Sequence, residues 1–332
     1  MAGYVLGSGW HVVLRDLGID TAATLARADL PRELLARPDA MLTIEQFYRL
    51  WTAVEAEFDG PDVALAMAQA ITTEAFTPAI FAGLCSPTLR VAAERIATYK
   101  RLFYPVTLDV KCEDALRIAV KAREPFEPPP VLARFELLFW IRFARLGTRE
   151  HIRPIRLTFP APVPDRQALA EFAGGDCVVI GRSPEITFGA LDARCPFVTA
   201  NEAMWQVFEP TLRQRLTVSD DNAPWSARVH AALLAALPAG RGSLSELAAD
   251  LHLSARSLQR RLAAEGDTFQ GILDRARERL ARHFLTTTDL PDSEIAFLIG
   301  YDEPASFHRR FRSWTGCTPG EVRAAVLEPK SG

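Results

Sequence analysis

The chain has 332 residues, 48% of them hydrophobic, and 41 acidic against 38 basic side chains give a formal net charge of −3. This length allows two domains with hydrophobic cores, and the slightly acidic balance argues against binding nucleic acid through overall charge. The N-terminus lacks a charged segment followed by a long apolar run, and charged residues interrupt the most apolar helical stretch, 131–146. Neither a signal peptide nor a membrane span is therefore predicted.

The chemically reactive residues form no motif of a known catalytic class. The five cysteines are scattered without a CxxC pair, which is typical of a reduced cytoplasmic protein. The histidines lack the spacing of zinc hydrolases, and there is neither a GxSxG motif nor a glycine-rich dinucleotide loop. We therefore expect no enzymatic activity, no metal and no cofactor, and we place the protein in the cytoplasm.

Residues 9–104 are predicted to be mainly helical. Thr43 and Gln46 have the spacing of a capping box, Ser86-Pro87 introduces a further helix, and Asp39 and Gly60-Pro61 mark breaks. A polar group closes the segment: Tyr99, Lys100, Arg101 and Tyr104. We expect these four residues on a helix surface, and the alternative is that they frame an acidic effector.

After residue 105 the pattern becomes that of a small sheet. Residues 106–110 and 116–120 alternate in polarity and predict a hairpin. Residues 131–146 are apolar nearly all round, so this helix is expected to be buried. Its aromatic stripe from Phe135 to Phe143 is interpreted as core, with an effector pocket or a dimer face as alternatives. Further elements are expected as strands at 155–159, 177–180 and 185–188 and helices at 165–172 and 202–216.

These elements predict an α+β first domain, residues 1–216, with helices and a small, mostly antiparallel sheet. The polar stretch 217–224 contains Asp220, Asp221, Asn222 and Pro224 and is predicted to be a linker. Residues 225–332 would form an all-α domain whose first helix covers 225–237.

The second domain contains the same short unit twice. Glu246-Leu247-Ala248, Leu251-His252-Leu253 and Leu258 to Leu262 return as Glu294-Ile295-Ala296, Ile299-Gly300-Tyr301 and Phe307 to Phe311, at an offset of 48 and then 49 residues. Each unit is predicted to be a helix, a tight turn and a second helix. The helix starts are expected at a capping box of Ser243 with Glu246, at Pro291, and at the N-caps Ser254 and Asp302.

Residues 268–287 join the two units. Asp267 and Gln270 are expected to cap this helix, and its apolar residues have helical spacing: Phe269, Ile272, Leu273, Ala276, Leu280 and Phe284. Its twenty residues at about 1.5 Å each make a rod of about 30 Å, close to the ~34 Å of one turn of B-DNA. Such a rod can hold two helices in successive major grooves.

The second helix of each unit is amphipathic. Leu258 with Leu262, and Phe307 with Phe311 and Trp314, would face inward. The outward side chains are Arg256, Gln259, Arg260 and Arg261 in one helix and Ser306, His308, Arg309, Arg310 and Arg312 in the other. Long donor-rich side chains of this kind contact base edges and phosphates in the major groove, and the alternative is a solvated helix face. Residues 223–332 carry 14 basic and 13 acidic side chains, so a DNA-binding surface would be a local patch.

The repeat with its joining helix resembles the DNA-binding domain of the AraC/XylS family of transcriptional regulators. The resemblance is carried by the run from Leu253 to Leu262, Glu265-Gly266, Gly300-Tyr301, Arg309-Arg310-Phe311 and Trp314-Thr315-Gly316 with Thr318-Pro319. It implies a double helix-turn-helix domain at 225–332 whose DNA contacts come from Arg256, Gln259, Arg260, Ser306, His308, Arg309 and Arg312. Tyr301, where the family often has Phe, and Pro304, early in the second of these helices, depart from the family pattern.

The first domain resembles, more loosely, the sensor domain of the subgroup that includes regulators of the ornithine-utilisation and VirS-like type. The matching segments are Ser86-Pro87-Thr88-Leu89, Arg153 to Pro162 and Ile186-Thr187-Phe188. The resemblance implies effector binding and dimerisation without naming the effector or its residues. We therefore expect a DNA-binding regulator whose first domain senses a small molecule. The resemblance implies that it forms a homodimer, and it would contact RNA polymerase if it activates. The alternative is a DNA-binding protein whose first domain only dimerises or recruits a protein partner.

Overall fold

A computed structural model describes residues 3–5, 9–36, 41–220 and 223–327. The chain divides into two compact units, Met1–Leu212 and Arg213–Gly332, and each is considered by itself below. Asp39, Asp221 and Asn222, which were expected to mark breaks in regular structure, lie outside the described residues. The domain boundaries predicted at 216 and 225 stay a prediction.

The first unit combines helices with short strands. Its helices are α1 (Gly9–Asp16), α2 (Thr21–Arg27), α3 (Ile44–Glu57), α4 (Val63–Ala70), α5 (Pro78–Leu84), α6 (Leu89–Tyr99), α7 (Pro130–Thr148), α8 (Arg166–Ala173), α9 (Ala190–Arg194) and the part of α10 (Glu202–Val218) that precedes Arg213. Its strands are β1 (Tyr4–Val5), β2 (Met41–Leu42), β3 (Val106–Cys112), β4 (Ala115–Ala122), β5 (Pro154–Phe159), β6 (Val178–Ile180) and β7 (Glu185–Gly189). The predicted helices and sheet strands are confirmed, whereas α9 and the short β1–β2 pair were not predicted.

The sheet of the first unit is mostly antiparallel, as expected. Among the described residues its strand order is β3-β4-β7-β5-β6. β3 pairs antiparallel with β4, β4 with β7 and β7 with β5, and β6 alone runs parallel to β5. The capping box of Thr43 with Gln46 at the start of α3 is also present.

Helix α7 is buried along most of its length, which confirms the expectation from its composition. Even its charged residues Arg134 and Glu136 are only 8% and 1% exposed. Burying a charge is costly unless it is paired, and each has a partner. Arg134 donates to Glu55 at 2.6 Å, and Glu136 accepts from Lys100 Nζ at 2.8 and 2.6 Å.

The prediction that Tyr99, Lys100, Arg101 and Tyr104 lie on a helix surface is wrong for Tyr99 and Lys100. Tyr99 and Lys100 are only 4% and 3% exposed. The physical reason is Glu136 on α7, whose carboxylate supplies the charge partner without which an ammonium group would not be buried.

The second unit is helical, as predicted. It contains α11 (Trp225–Ala236), α12 (Leu244–Asp250), α13 (Ala255–Ala264), α14 (Phe269–Thr287), α15 (Asp292–Leu298), α16 (Pro304–Thr315) and α17 (Pro319–Leu327). Helices α12 and α13 form the first helix-turn-helix unit, α15 and α16 form the second, and α14 joins them. The capping box of Ser243 with Glu246 and the N-cap Ser254 are confirmed.

Two predicted helix starts are wrong by one residue. Helix α14 is capped by Thr268, whose hydroxyl accepts from the Gly271 amide at 3.1 Å, because the Asp267 carboxylate instead binds Arg275. Helix α16 has Glu303, the residue after Asp302, at its N-cap position, and the Glu303 side chain makes no capping hydrogen bond. Here the extra residue of the second copy lies before the helix, and Pro304 takes the first helical position, where a missing amide hydrogen costs little.

The turn of each unit contains one residue in the left-handed conformation. Gly300 has φ of +79°, and His252, the corresponding residue of the first copy, has φ of +56°. Glycine adopts this conformation without strain, whereas a residue with a Cβ atom does so at a cost of about 1–2 kcal/mol. The first turn therefore carries strain that the second does not.

We predict that His252→Gly stabilises the second unit by up to about 1 kcal/mol, because relief of the left-handed strain outweighs the greater entropy of glycine in the unfolded chain. The His252 side chain is exposed, so little packing is lost. Thermal unfolding of residues 213–332 measures the change. The control His283→Gly, within α14, should destabilise by about 1 kcal/mol, and a His252→Gly variant no more stable than the parent contradicts the prediction.

Candidate nucleic-acid interface and internal cavity

The second unit has two hydrophobic clusters that meet on α14. The first contains Leu258 and Leu262 of α13 together with Ile272 and Ala276 of the rod. The second, on the other half of the rod, contains the following residues: Ala281, Leu285, Ile295, Ala296, Ile299, Phe307 and Phe311. We call α13 and α16 the recognition helices, and each is fixed to α14 by a cluster of its own.

Helix α13 presents an open polar face. Leu258 and Leu262 are 0% and 1% exposed, whereas Arg256, Gln259 and Arg260 on the opposite side are exposed. Within the described part of the chain these three side chains are not engaged in hydrogen bonds or ion pairs. Their donors are therefore free to bind a ligand outside the unit.

Arg261, on the same helix, is held within the protein. Its guanidinium lies 4.4 Å from the centroid of the Trp225 ring, and that of Arg228 lies 4.1 Å from it. Glu265, at the C-terminal end of α13, accepts from the backbone amides of Trp225 and Ser226 at 2.6 and 2.8 Å. The first turn of α11 is thus fastened to α13, an arrangement that sequence reasoning missed because its members lie about 40 residues apart.

Helix α16 differs from α13 because Ser306, His308, Arg309 and Arg310 already have partners within the protein. Arg310 donates to Asp274 of α14 at 2.8 Å, and His308 Nε2 lies 3.1 Å from the carboxylate of Asp292 on α15. Arg309 donates to the hydroxyl of Ser306 at 3.0 Å. Arg312 is exposed in the last turn. Of the predicted DNA-contact residues, the structure therefore leaves those of α13 more available than those of α16.

The rod fixes the second turn through an arginine that the sequence did not single out. Arg277 of α14 donates to the carbonyl oxygens of Ile299 and Gly300 at 2.9 and 2.8 Å. Its guanidinium also lies 4.4 Å from the centroid of the Tyr301 ring. The 19 residues of α14 at about 1.5 Å each give a length of about 28 Å, close to the length expected from the sequence.

The first unit contains a partly open cavity of about 50 Å³. Its wall is mainly aromatic, with the rings of Trp10, Phe47, Phe76, Phe103, Phe135 and Phe139, and it also includes Tyr104. The buried ion pair of Lys100 with Glu136 forms part of the same wall. The aromatic stripe of α7 and the group around Lys100, each of which had an effector pocket as its alternative interpretation, thus both contribute to this cavity.

The ionisation of the cavity residues reflects their burial. Burial lowers the pKa of Lys100, and the charge of Glu136 together with its hydrogen bonds opposes that shift. Burial also raises the pKa of Tyr104 well above its ordinary value, and the nearby Glu136 carboxylate adds to the effect. The phenol therefore stays neutral at physiological pH, whereas Lys100 gives up its proton more readily than a surface lysine does.

Comparison with known proteins assigns a domain family to each unit. Residues 18–197 match the arabinose-binding domain of AraC transcription regulators, and residues 247–325 match a helix-turn-helix domain. The chain belongs to the AraC family of transcriptional regulators. It is 29% identical over 318 residues to the ornithine utilization regulator of Pseudomonas aeruginosa, covering 94% of this chain and 93% of that protein.

Two further similarities are of the same kind. The chain is 30% identical over 327 residues to the transcriptional regulator VirS of Mycobacterium tuberculosis, covering 95% of this chain and 94% of VirS. It is 21% identical to the solved structure of the regulator CdpR from Pseudomonas aeruginosa, with a TM-score of 0.45, covering 96% of this chain and 98% of that one. The family matches and the two curated relatives are transcriptional regulators and not enzymes, and by its family this protein is a helix-turn-helix regulator that binds double-stranded DNA, with an arabinose-binding-type N-terminal domain.

Neither a membrane helix nor a metal site emerges from the part of the chain that the structure describes. Its helices are all too short or too polar to cross a bilayer. Its His, Cys, Asp and Glu side chains do not come together in groups of three or more that could hold a metal ion.

We predict that Arg260→Ala weakens binding to a cognate operator by about 1–3 kcal/mol, because an exposed and unengaged arginine is lost from the face of α13. The fold should be unaffected. Electrophoretic mobility shift at fixed salt measures the change. Arg282→Ala serves as control, since that arginine lies on α14 and pairs with Glu278 at 2.9 Å. Equal affinities of the Arg260→Ala variant and the parent contradict the assignment of α13.

We predict a pH-dependent effect of Glu265→Gln on stability. Burial alone would raise the pKa of Glu265, but the amides of Ser226 and Trp225 outweigh it and hold this pKa below its ordinary value of 4.5. A carboxyl group whose pKa is lowered by folding stabilises the fold above its unfolded pKa and loses that contribution as the pH falls through the folded value. Because Glu265 is exposed and solvent screens its charge, Glu265→Gln should cost less than about 1 kcal/mol at neutral pH.

The difference between this variant and the parent should shrink as the pH falls below 4.5. Melting temperatures of residues 213–332 across that range test the prediction. Glu278→Gln, which removes an exposed pair with Arg282, is the matched control and should have a smaller effect at neutral pH. A Glu265→Gln penalty that is unchanged in acid contradicts the role of the carboxylate.

Proposed function

We propose that this protein is a ligand-responsive regulator, in which the first unit binds a small molecule and thereby biases DNA binding by the second. It would act in the cytoplasm and as a homodimer. The observation that carries the sensing proposal is the cavity beside α7, which combines an aromatic wall with one buried ion pair. A few fixed polar groups in an apolar wall are typical of ligand pockets.

The proposed DNA complex places α13 and α16 in successive major grooves on one face of the duplex. The length of α14 supports this arrangement, because it is close to one helical turn of B-DNA. In the complex Arg256, Gln259 and Arg260 contact base edges. Ser306, His308, Arg309 and Arg312 contact the other groove or its phosphates, after exchanging internal partners where they have them.

The proposal of a homodimer is supported by an exposed apolar surface on α10. Among the described residues of this helix only Trp205 and Leu212 are buried. Met204 and Val207 are 39% and 67% exposed, and apolar side chains grouped in this way are typical of protein contacts. This surface also favours the second candidate function, in which the first unit only dimerises or recruits a protein.

A comparison of the full chain with residues 213–332 distinguishes the two functions. An operator is first selected from random DNA with the full chain. Thermal shift against a panel of metabolites then identifies compounds that stabilise the chain through binding. We expect a stabilising compound to change operator affinity of the full chain by about 1–3 kcal/mol, the usual range of coupling between two sites.

The fragment should bind the same operator without responding to that compound. A fragment that responds as strongly as the full chain would place the sensor outside the first unit. A full chain whose operator affinity changes with none of the compounds that stabilise it would favour the dimerisation or recruitment function. The fragment is a fair test because it contains both hydrophobic clusters that hold the recognition helices.

A further inference from the structure

We infer that the cavity of the first unit takes a small, mainly apolar primary amine, whose ammonium group replaces that of Lys100 as the partner of Glu136. This inference rests on the proposed sensing function and names the chemical class of the ligand. It differs from what the name of the matching domain suggests, because the wall of this cavity is unsuited to a sugar.

The cavity offers few polar groups. Apart from Lys100 and Glu136, which bind each other, the polar side chains of the wall are those of Thr77 and Tyr104, together with the Trp10 ring nitrogen, and the rest is aromatic or aliphatic. A pentose carries several hydroxyl groups, and each one buried without a hydrogen-bond partner costs ~1–3 kcal/mol. A sugar would therefore leave polar groups unsatisfied here, whereas an apolar molecule with one polar group would not.

The aromatic wall of the cavity determines which charge the polar group of the ligand should carry. Aromatic rings carry partial negative charge on their faces and attract cations. Lys100 already shows this preference, since its ammonium nitrogen lies 4.3 Å from the centroid of Tyr104 and 5.4 Å from that of Phe103. Glu136 offers its negative charge to a ligand ammonium once Lys100 has released its proton, whereas the faces of the surrounding rings disfavour a ligand carboxylate.

Exchange of one ammonium for another keeps the charge of the cavity unchanged. The charged or titratable groups that face Lys100 are Glu136 on α7 and the Tyr104 phenol. The ligand enters as an ammonium ion and donates to the carboxylate of Glu136 in place of Lys100. Lys100 then becomes a neutral amine by releasing one proton to solvent, a step that its lowered pKa favours. Binding of one amine should therefore release about one proton.

The size of the cavity sets the size of the ligand. A water molecule needs roughly 10–15 Å³ of such space, so a cavity of about 50 Å³ accepts a few groups of that size. n-Butylamine is a suitable probe, and n-butanol, butyrate and arabinose are its controls. n-Butanol and butyrate have nearly the same shape as n-butylamine but lack its positive charge. Arabinose is the sugar after which the matching domain is named.

The test is calorimetric titration of the full chain with each compound, in two buffers of different ionisation enthalpy at the same pH. We expect n-butylamine to bind with release of about one proton and at least tenfold more tightly than the three controls. Tighter binding of butyrate, n-butanol or arabinose overturns the inference, and so does an absence of amine binding. Because DNA is not involved in this titration, such a failure leaves the proposed sensing function to be judged separately by operator binding.

Two variants separate the role of the pair from general stability. Lys100→Met leaves the buried Glu136 carboxyl without its ammonium partner, and a buried carboxyl in that state takes up a proton. n-Butylamine should then bind about tenfold more tightly, because Lys100 no longer competes with it, and the proton released on binding comes from Glu136. Lys100→Met combined with Glu136→Leu replaces the pair by apolar side chains, a change that buried pairs often tolerate, and should abolish amine binding.

Glu55→Gln is the matched control, because it removes a partner of Arg134 on the same helix without being part of the cavity wall, and it should bind n-butylamine like the parent. If Lys100→Met does not fold, the double variant decides. Retention of amine binding by the double variant overturns the inference.

Discussion

Both recognition helices depend on the packing of a single helix. The apolar face of α14 contributes Ile272 and Ala276 to one hydrophobic cluster and Ala281 and Leu285 to the other, and Leu280 packs against both. Because an α-helix is stiff over this length, the spacing and relative rotation of α13 and α16 follow from the number of residues between these contacts. Each helix-turn-helix unit has its own core, but the geometry of the pair resides in the rod.

The second unit could be predicted from the sequence nearly completely, because its signals are local. Helical spacing predicted the buried side of α13 and α16, and the capping box of Ser243 with Glu246 fixed the start of α12. The start at Thr268 was missed because the neighbouring Asp267 is an equally suitable cap by residue type, and in the structure Asp267 binds Arg275, eight residues further along the chain. The start at Glu303 was missed because the second copy has one extra residue before this helix, and Pro304 takes the first helical position.

The first unit shows more clearly where sequence reasoning ends. Its helices and strands follow from periodicity, but Lys100 and Glu136 stand 36 residues apart, and each read alone indicates a solvent-exposed position. Only the fold shows that the two charges neutralise each other inside an aromatic wall. The same limit applies to Trp225, whose contacts with Arg261 and Glu265 no spacing rule predicts. The sequence analysis therefore predicted the helices and strands but not the contacts between side chains that are far apart in the chain.

The internal pairing of α16 bears on how the protein exchanges ions when it meets DNA. Arg310 and His308 lie beside Asp274 and Asp292, so contact with phosphate requires each to leave a carboxylate rather than only water. Affinity for DNA falls with added salt in proportion to the phosphates neutralised and the counterions displaced from them. A freed aspartate gathers cations of its own, which offsets part of that release. In the proposed complex, the salt dependence of operator binding should therefore count a phosphate contact of Arg310 only in part.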